Sequence, residues 1–246
     1  MKKIIIAAVF IISILAITSF NILESIYSLE GDSKIEMGRY QFNIPAEYGT
    51  HGFMNLSVRW FTRQFQPEEV AVFEIKEHEL ALNISAYKIG ESEHPRNIKG
   101  LIRVWNEKTL QTFKQPGRYA NLWRGSGPYT EREVHPYSNG KLFRVYRDAS
   151  SKEVWTVLKQ NPLQNDPLPE NSFDFWVARC RAHESKMPGS AKFTICNSYL
   201  LIDDVVVEFY LAEDNLETIE EIRQYLAEKI ISWRSYAKPE SNPGRL

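Results

Sequence analysis

Only two cysteines, Cys180 and Cys196, occur in 246 residues, and they do not form a C-x-x-C pair. That scarcity excludes the spacing of a thiol oxidoreductase and leaves no second ligand pair for zinc. Histidine is sparse too: His51, His78, His94, His135 and His183 are scattered, and none shows an H-E-x-x-H spacing. Basic excess is missing, with 30 Lys and Arg against 31 Asp and Glu, so nothing draws in nucleic-acid phosphates. No nucleophile elbow, P-loop or dinucleotide fingerprint occurs. Ser126 in "RGSGPY" stands between two glycines without a strand-to-helix context and reads as a turn, a serine nucleophile being the lesser alternative. The densest acid and base cluster, "EHE" at Glu77 to Glu79, reads as a solvated turn. No catalytic residue, metal or cofactor is assigned, although catalytic groups assemble in space rather than along the chain.

Apolar sequence concentrates at the start. "MKKIIIAAVFIISILAITSFN" places two lysines before a run from Ile4 to Ile17 broken only by Ser13, the plan of an export signal. The best cleavage site, Ala16-x-Thr18, is a mediocre one, and no cysteine marks a lipoprotein. Extended to Leu23, the run reaches the roughly 20 residues that span a bilayer as a helix. Residues 1–23 are therefore expected to be a cleaved signal peptide or an uncleaved anchor, holding the chain to the inner membrane through residues 4–23. Lys2 and Lys3 favour the cytoplasmic side, which sends the body outward. The expected location is the periplasm, soluble or anchored.

Residues 24–34 read as a linker, 35–236 as an α+β globular body with a possible division near 161–172, and 237–246 as a disordered tail. "IEMGRYQFNIP" alternates as a first strand with Tyr40, Phe42 and Ile44 on one face. "EVAVFEIK" and "ELALNISAYKI" read as an extended pair, the second with Leu80, Leu82, Ile84 and Ala86 on one face. The formal sequon at Asn83 falls in that second strand and the one at Asn55 precedes the pair. Between Asn97 and Gln115 the apolar spacing predicts a helix, weakened by Gly100. "KLFRVYRD" and "KEVWTVLKQ" predict a hairpin.

The last third is the most regular. "FDFWVARCRAHE", "AKFTICNSYLLI" and "VVVEFYLA" predict three antiparallel strands, which sets Cys180 and Cys196 on neighbours. In an exported chain such a pair persists as a disulfide. It would add about 3 kcal/mol by closing its loop. Leu216, Ile219, Ile222, Leu226, Ile230 and Trp233 then recur every three or four residues, an amphipathic helix packed on the antiparallel sheet. Asp214 and Glu217 form a candidate capping box for it, and Glu217, Glu220, Glu221 and Glu228 a solvated acidic face.

Residues 116–140 are rich in Gly, Pro, Tyr and Trp. Tyr119, Trp123, Arg124, Tyr129, Arg132 and Tyr137 are of the types enriched at interface hot spots, and are candidate partner-binding residues. The alternative is that these rings fill the core beneath an irregular loop.

The export signal, the opening "MGRYQFNIP", and the closing order of a Cys-bearing strand, "DDVVVEFYL" and a helix ending "EKIISW" together resemble the periplasmic immunity proteins of type VI secretion, those guarding against phospholipase effectors in particular. The likeness covers the two ends of the body. It departs from the pattern in lacking a lipobox cysteine, and the middle third has no counterpart. The resemblance implies a protein partner, a co-encoded toxic effector, occluded by binding. The alternatives are a periplasmic hydrolase using Ser126 or a His/Glu site and a structural component of an envelope complex.

Overall fold

The computed structural model describes residues 33–49, 70–90, 96–137, 140–150, 152–162, 167–183 and 193–236. The expected signal or anchor, nearly all of the linker, the tail 237–246, His51, His94 and the Asn55 sequon lie outside the described residues.

The chain folds as α+β, with two antiparallel sheets and a C-terminal helix packed against them. A small sheet has the order β1-β2-β11, from Ser33–Met37, Tyr40–Ile44 and Arg234–Tyr236. The sequence reads one strand over 35–45, whereas the structure makes a hairpin. Gly38, at φ +59°, turns the chain so that Met37 pairs with Tyr40. The alternation of Tyr40, Phe42 and Ile44 holds, and all three are buried.

The large sheet has eight strands in the order β3-β4-β10-β9-β8-β7-β6-β5. They are β3 (Ala71–Ile75), β4 (Ile98–Val104), β5 (Glu133–Pro136), β6 (Phe143–Tyr146), β7 (Val154–Leu158), β8 (Trp176–His183), β9 (Phe193–Ile202) and β10 (Val205–Ala212). Strands from both sides of residues 161–172 join it. The β6–β7 hairpin and the β8-β9-β10 meander stand where the sequence places them, except that Ser172–Phe175 forms one helical turn before β8 begins.

Two segments change type. Residues Glu77–Asn83 form helix α1 rather than a strand. Leu80 and Ile84 are buried four residues apart, as one helical face requires, whereas Leu82, expected on the same face, is 83% exposed. The Asn83 sequon thus ends a helix. Residues 97–115 divide into β4 and helix α2 (Glu107–Lys114). Ile98, Gly100 and Ile102 follow a period of two that sparse apolar spacing disguised as helical. Gly100 has a packing reason to be there: a Cβ would lie 2.3 Å from Cζ of Phe73 on β3. Asn106 then caps α2, its side-chain oxygen accepting from the Thr109 amide at 2.9 Å.

The amphipathic stripe is correct. The helix over Ile219–Trp233 buries Ile219, Ile222, Leu226, Ile230 and Trp233, with Leu216 buried in the 3-10 turn ahead of it. These side chains share one core with Phe42 and Ile44 of the small sheet and with Phe73, Ile102, Val207 and Phe209 of the large one. The capping box is absent. Thr218 stands at the N-cap without a side-chain capping bond, its hydroxyl donating to the Asn215 carbonyl at 3.0 Å, and Asp214 accepts from Arg96 at 2.6 Å. The six-residue 3-10 entry, Glu213–Thr218, changes the spacing on which a box depends.

Candidate partner-binding surface

The large sheet has an inner face, packed on the C-terminal helix and the small sheet, and an outer face. Cys180 and Cys196 are direct cross-strand partners on the inner face, joined as a disulfide. Period-two alternation therefore sends Arg179, Arg181, Ile195 and Asn197 outward.

Half of the outer face is covered. Residues Ala120–Arg124, a short helix α3, together with α2 and the Ser172–Phe175 turn, lay an aromatic layer over it. Leu122, Trp123, Val145, Leu158, Phe175 and Trp176 form its buried cluster. Ring contacts run from Trp105 to Phe113 (4.7 Å), Tyr199 (5.0 Å) and Trp176 (5.3 Å). A groove of about 610 Å³, lined among others by Trp105, Lys108, Thr112 and Phe113, opens at its edge.

Five of the six candidate residues of 116–140 gather around α3, and Tyr137 stands apart from them. Trp123 is buried in that layer, and Tyr119 and Tyr129 pack on it partly buried. Arg132 donates to the carbonyl oxygens of Leu122 and Trp123, the end of α3, and to that of Pro162. It is a C-terminal cap, at a turn where Gly125 adopts φ +64°. Tyr137 turns to the inner face, where its hydroxyl donates to Glu213 at 2.8 Å under the Arg144 guanidinium. Burial pushes that phenol up, and Glu213 pushes it further. Arg124 alone of the six is exposed. The expectation of packing beneath an irregular loop thus describes Trp123.

Among the described residues, no element covers the other half of the outer face. Across it the register aligns Thr156, Arg179, Asn197, Tyr210, Lys99 and Glu74 in one row. Arg181 and Ile195 pair in the next row. Ile195 and Tyr210, diagonal neighbours, keep 36% and 39% of their surface exposed. Glu208 accepts from Tyr210 at 3.1 Å and from Asn197. Burial and Glu208 together push the Tyr210 phenol up. Glu74 is tied to Lys76 at 3.1 Å and to Lys99 at 3.8 Å. Its burial would raise the carboxyl, but bonds from Asn97 and Lys76 and the charge of Lys99 hold it below the ordinary range. None of these residues was singled out in the sequence. The signal was there: once the cysteines mark the inner face, the flanking arginines must take the other.

The "EHE" cluster is not a solvated turn. It opens α1, and Glu79 accepts from Tyr48 at 2.8 Å, from Lys229 at 2.8 Å and from Tyr225. Burial pushes its carboxyl up, but the three donors outweigh this and hold it below the ordinary value. Lys229 is correspondingly raised: burial would lower it, yet Glu79 and the two phenols win. A carboxylate so held and so satisfied is a structural pin between α1 and the C-terminal helix, and a poor base.

Ser126 donates to Asn121 Oδ1 at 3.1 Å, and His135 pairs with Glu133 at 3.1 Å on the exposed end of β5. Among the described residues no group of three His, Cys, Asp or Glu side chains gathers as a metal site, and no helix is long and apolar enough to cross a membrane.

No family model matches the chain, and no curated protein matches it. Among solved structures, Smlt3025, an immunity protein of the Stenotrophomonas maltophilia type IV secretion system, is 12% identical, with a TM-score of 0.44 over 84% of this chain and 94% of that one. Likeness at that level carries neither fold nor function across.

Proposed function

We propose that this chain is an exported binding protein that neutralises a toxic secreted effector by occluding it. The observation that carries the reading is the large sheet itself. Its Cys180–Cys196 bridge fits an oxidising compartment, and its outer face offers a rigid, half-open surface of Arg, Tyr and Ile side chains. A protein acting by occlusion needs a surface and no catalytic residues of its own. The finer reading, implied by the likeness at the two ends of the body, is a guard against a phospholipase effector of type VI secretion. In it residues 4–23 either hold the chain at the inner membrane or are removed on export.

Co-expression tests this. The toxin encoded beside the gene, directed to the periplasm, should kill cells lacking the chain and spare cells exporting it. The two should also form a stoichiometric complex. Full resistance of deletion cells to sister-cell attack, with no complex formed, overturns the reading.

A further inference from the structure

We infer that the open half of the outer sheet face, centred on Ile195 and Tyr210 and flanked by Arg179, Arg181 and Lys99, docks an acidic protein surface. This rests on the neutralising reading and says where it acts.

Three observations carry the assignment. First, the apolar residues are placed together. Large apolar side chains exposed on other elements, such as Leu82 on α1 and Tyr236 on β11, stand apart, whereas Ile195 and Tyr210 adjoin on paired strands. Second, cations surround them. The register puts Arg179 in the row of Tyr210, Arg181 opposite Ile195, and Lys99 opposite Tyr210 on the far side. With Arg103 on the same face of β4, these four cations face, among the described residues, two carboxylates, Glu74 and Glu208, each already accepting hydrogen bonds from neighbouring side chains. The patch is thus positive on a chain whose net charge is −1, and charge complementarity selects an acidic partner. Third, the platform is stiff. The disulfide ties the two strands that bear Arg179, Arg181, Ile195 and Asn197, so little backbone entropy is lost on docking. An apolar centre ringed by arginines has the anatomy of a protein interface. Two partly exposed side chains on a sheet face do not offer a bilayer the continuous apolar face of an interfacial helix.

The test is hydroxyl-radical footprinting and affinity measurement on the oxidised full chain with a soluble glutamate–tyrosine copolymer. Vesicles of phosphatidylglycerol and phosphatidylcholine form the parallel arm. The copolymer should protect Tyr210 and Ile195 while Leu82 and Tyr236 oxidise as before. R179E/R181E should weaken binding about tenfold or more, as should high salt; R179K/R181K should retain it. Both variants should keep the wild-type unfolding curve, which separates lost docking from lost fold. Absence of binding, protection confined to other residues, or binding indifferent to R179E/R181E overturns the proposal. Protection of Tyr210 by vesicles and not by copolymer overturns it in favour of a membrane. A chain that spares no cell from the toxin yet binds the copolymer here loses the neutralising function and keeps the surface. One that spares cells without this face keeps the function and loses the surface.

Discussion

The inner face of the large sheet encloses Phe73, Ile102, Val157, Val207 and Phe209 completely, under a helix whose apolar stripe matches it. The outer face, built from the same strands, is sealed by aromatic rings over one half and left to solvent over the other. Each strand supplies both faces through its alternation, so composition alone does not distinguish them. What differs is whether another element has an apolar surface to lay across. The inner face then carries stability, and the open half is free to carry recognition.

The largest effect should come from breaking the covered side. Trp233 meets Tyr48 at 5.1 Å and Phe73 at 5.8 Å between ring centres. Trp233→Ala should cost about 3–5 kcal/mol in denaturant unfolding, whereas Tyr210→Ala on the open side should stay within about 0.5 kcal/mol. Equal losses would erase the distinction between the faces.

Removing the disulfide comes next. The Cys180→Ser, Cys196→Ser double variant should lose about 3 kcal/mol in the chain-entropy model, read as a lower midpoint in the same titration. Wild-type chain under strong reductant should show a similar loss, and the difference between the two reports on the buried hydroxyls.

Gly100→Val places a side chain into the ring of Phe73 and should cost about 1–3 kcal/mol through overpacking. Combining it with Phe73→Ala should recover part of that loss, because the clash is with this ring. Additive losses would place the cause elsewhere.

A pH titration probes the pin on the covered side. Glu79 has a folded value below its ordinary one of about 4.3, so its contribution is complete above that pH and is lost as pH falls through the folded value. Lys229 has a raised folded value, so its contribution is complete below about pH 10.4 and is lost as pH rises through the folded value. Wild type should therefore hold a plateau between those limits. Glu79→Gln should be less stable on that plateau and lose less than wild type on acidification, as read from denaturant midpoints against pH.

Smallest in stability is R179E/R181E, expected within about 0.5 kcal/mol of wild type by thermal unfolding, since both side chains are exposed.

Several elements were legible because their pattern was local. The stripe from Ile219 to Trp233 repeats at helical spacing over fifteen residues, and the three strands from β8 to β10 alternate over eight or more. Their order alone placed Cys180 beside Cys196. The short elements were not legible. Leu80, Leu82 and Ile84 fit a strand as well as a helix within seven residues, and only burial of Leu80 and Ile84 beneath the core selects the helix. Gly100 weakened a helix that does not exist; it is small because Phe73 crosses above it, a contact between residues 27 positions apart in the sequence.

The candidate surface divides the same way. Residue types in 116–140 drew attention to Trp123 and Arg132, but a tryptophan that fills a core and one that binds a partner have the same composition around them. Burial decided for Trp123, and the open carbonyls of α3 decided for Arg132. The sequence by itself determined an apolar N-terminal run, an antiparallel α+β body, its final amphipathic helix and the pairing of its only two cysteines, because each is set by nearest neighbours or by simple periodicity. Only the tertiary structure decided which face of each strand is sealed and which residues meet across the open one. Those depend on contacts between segments far apart in the chain.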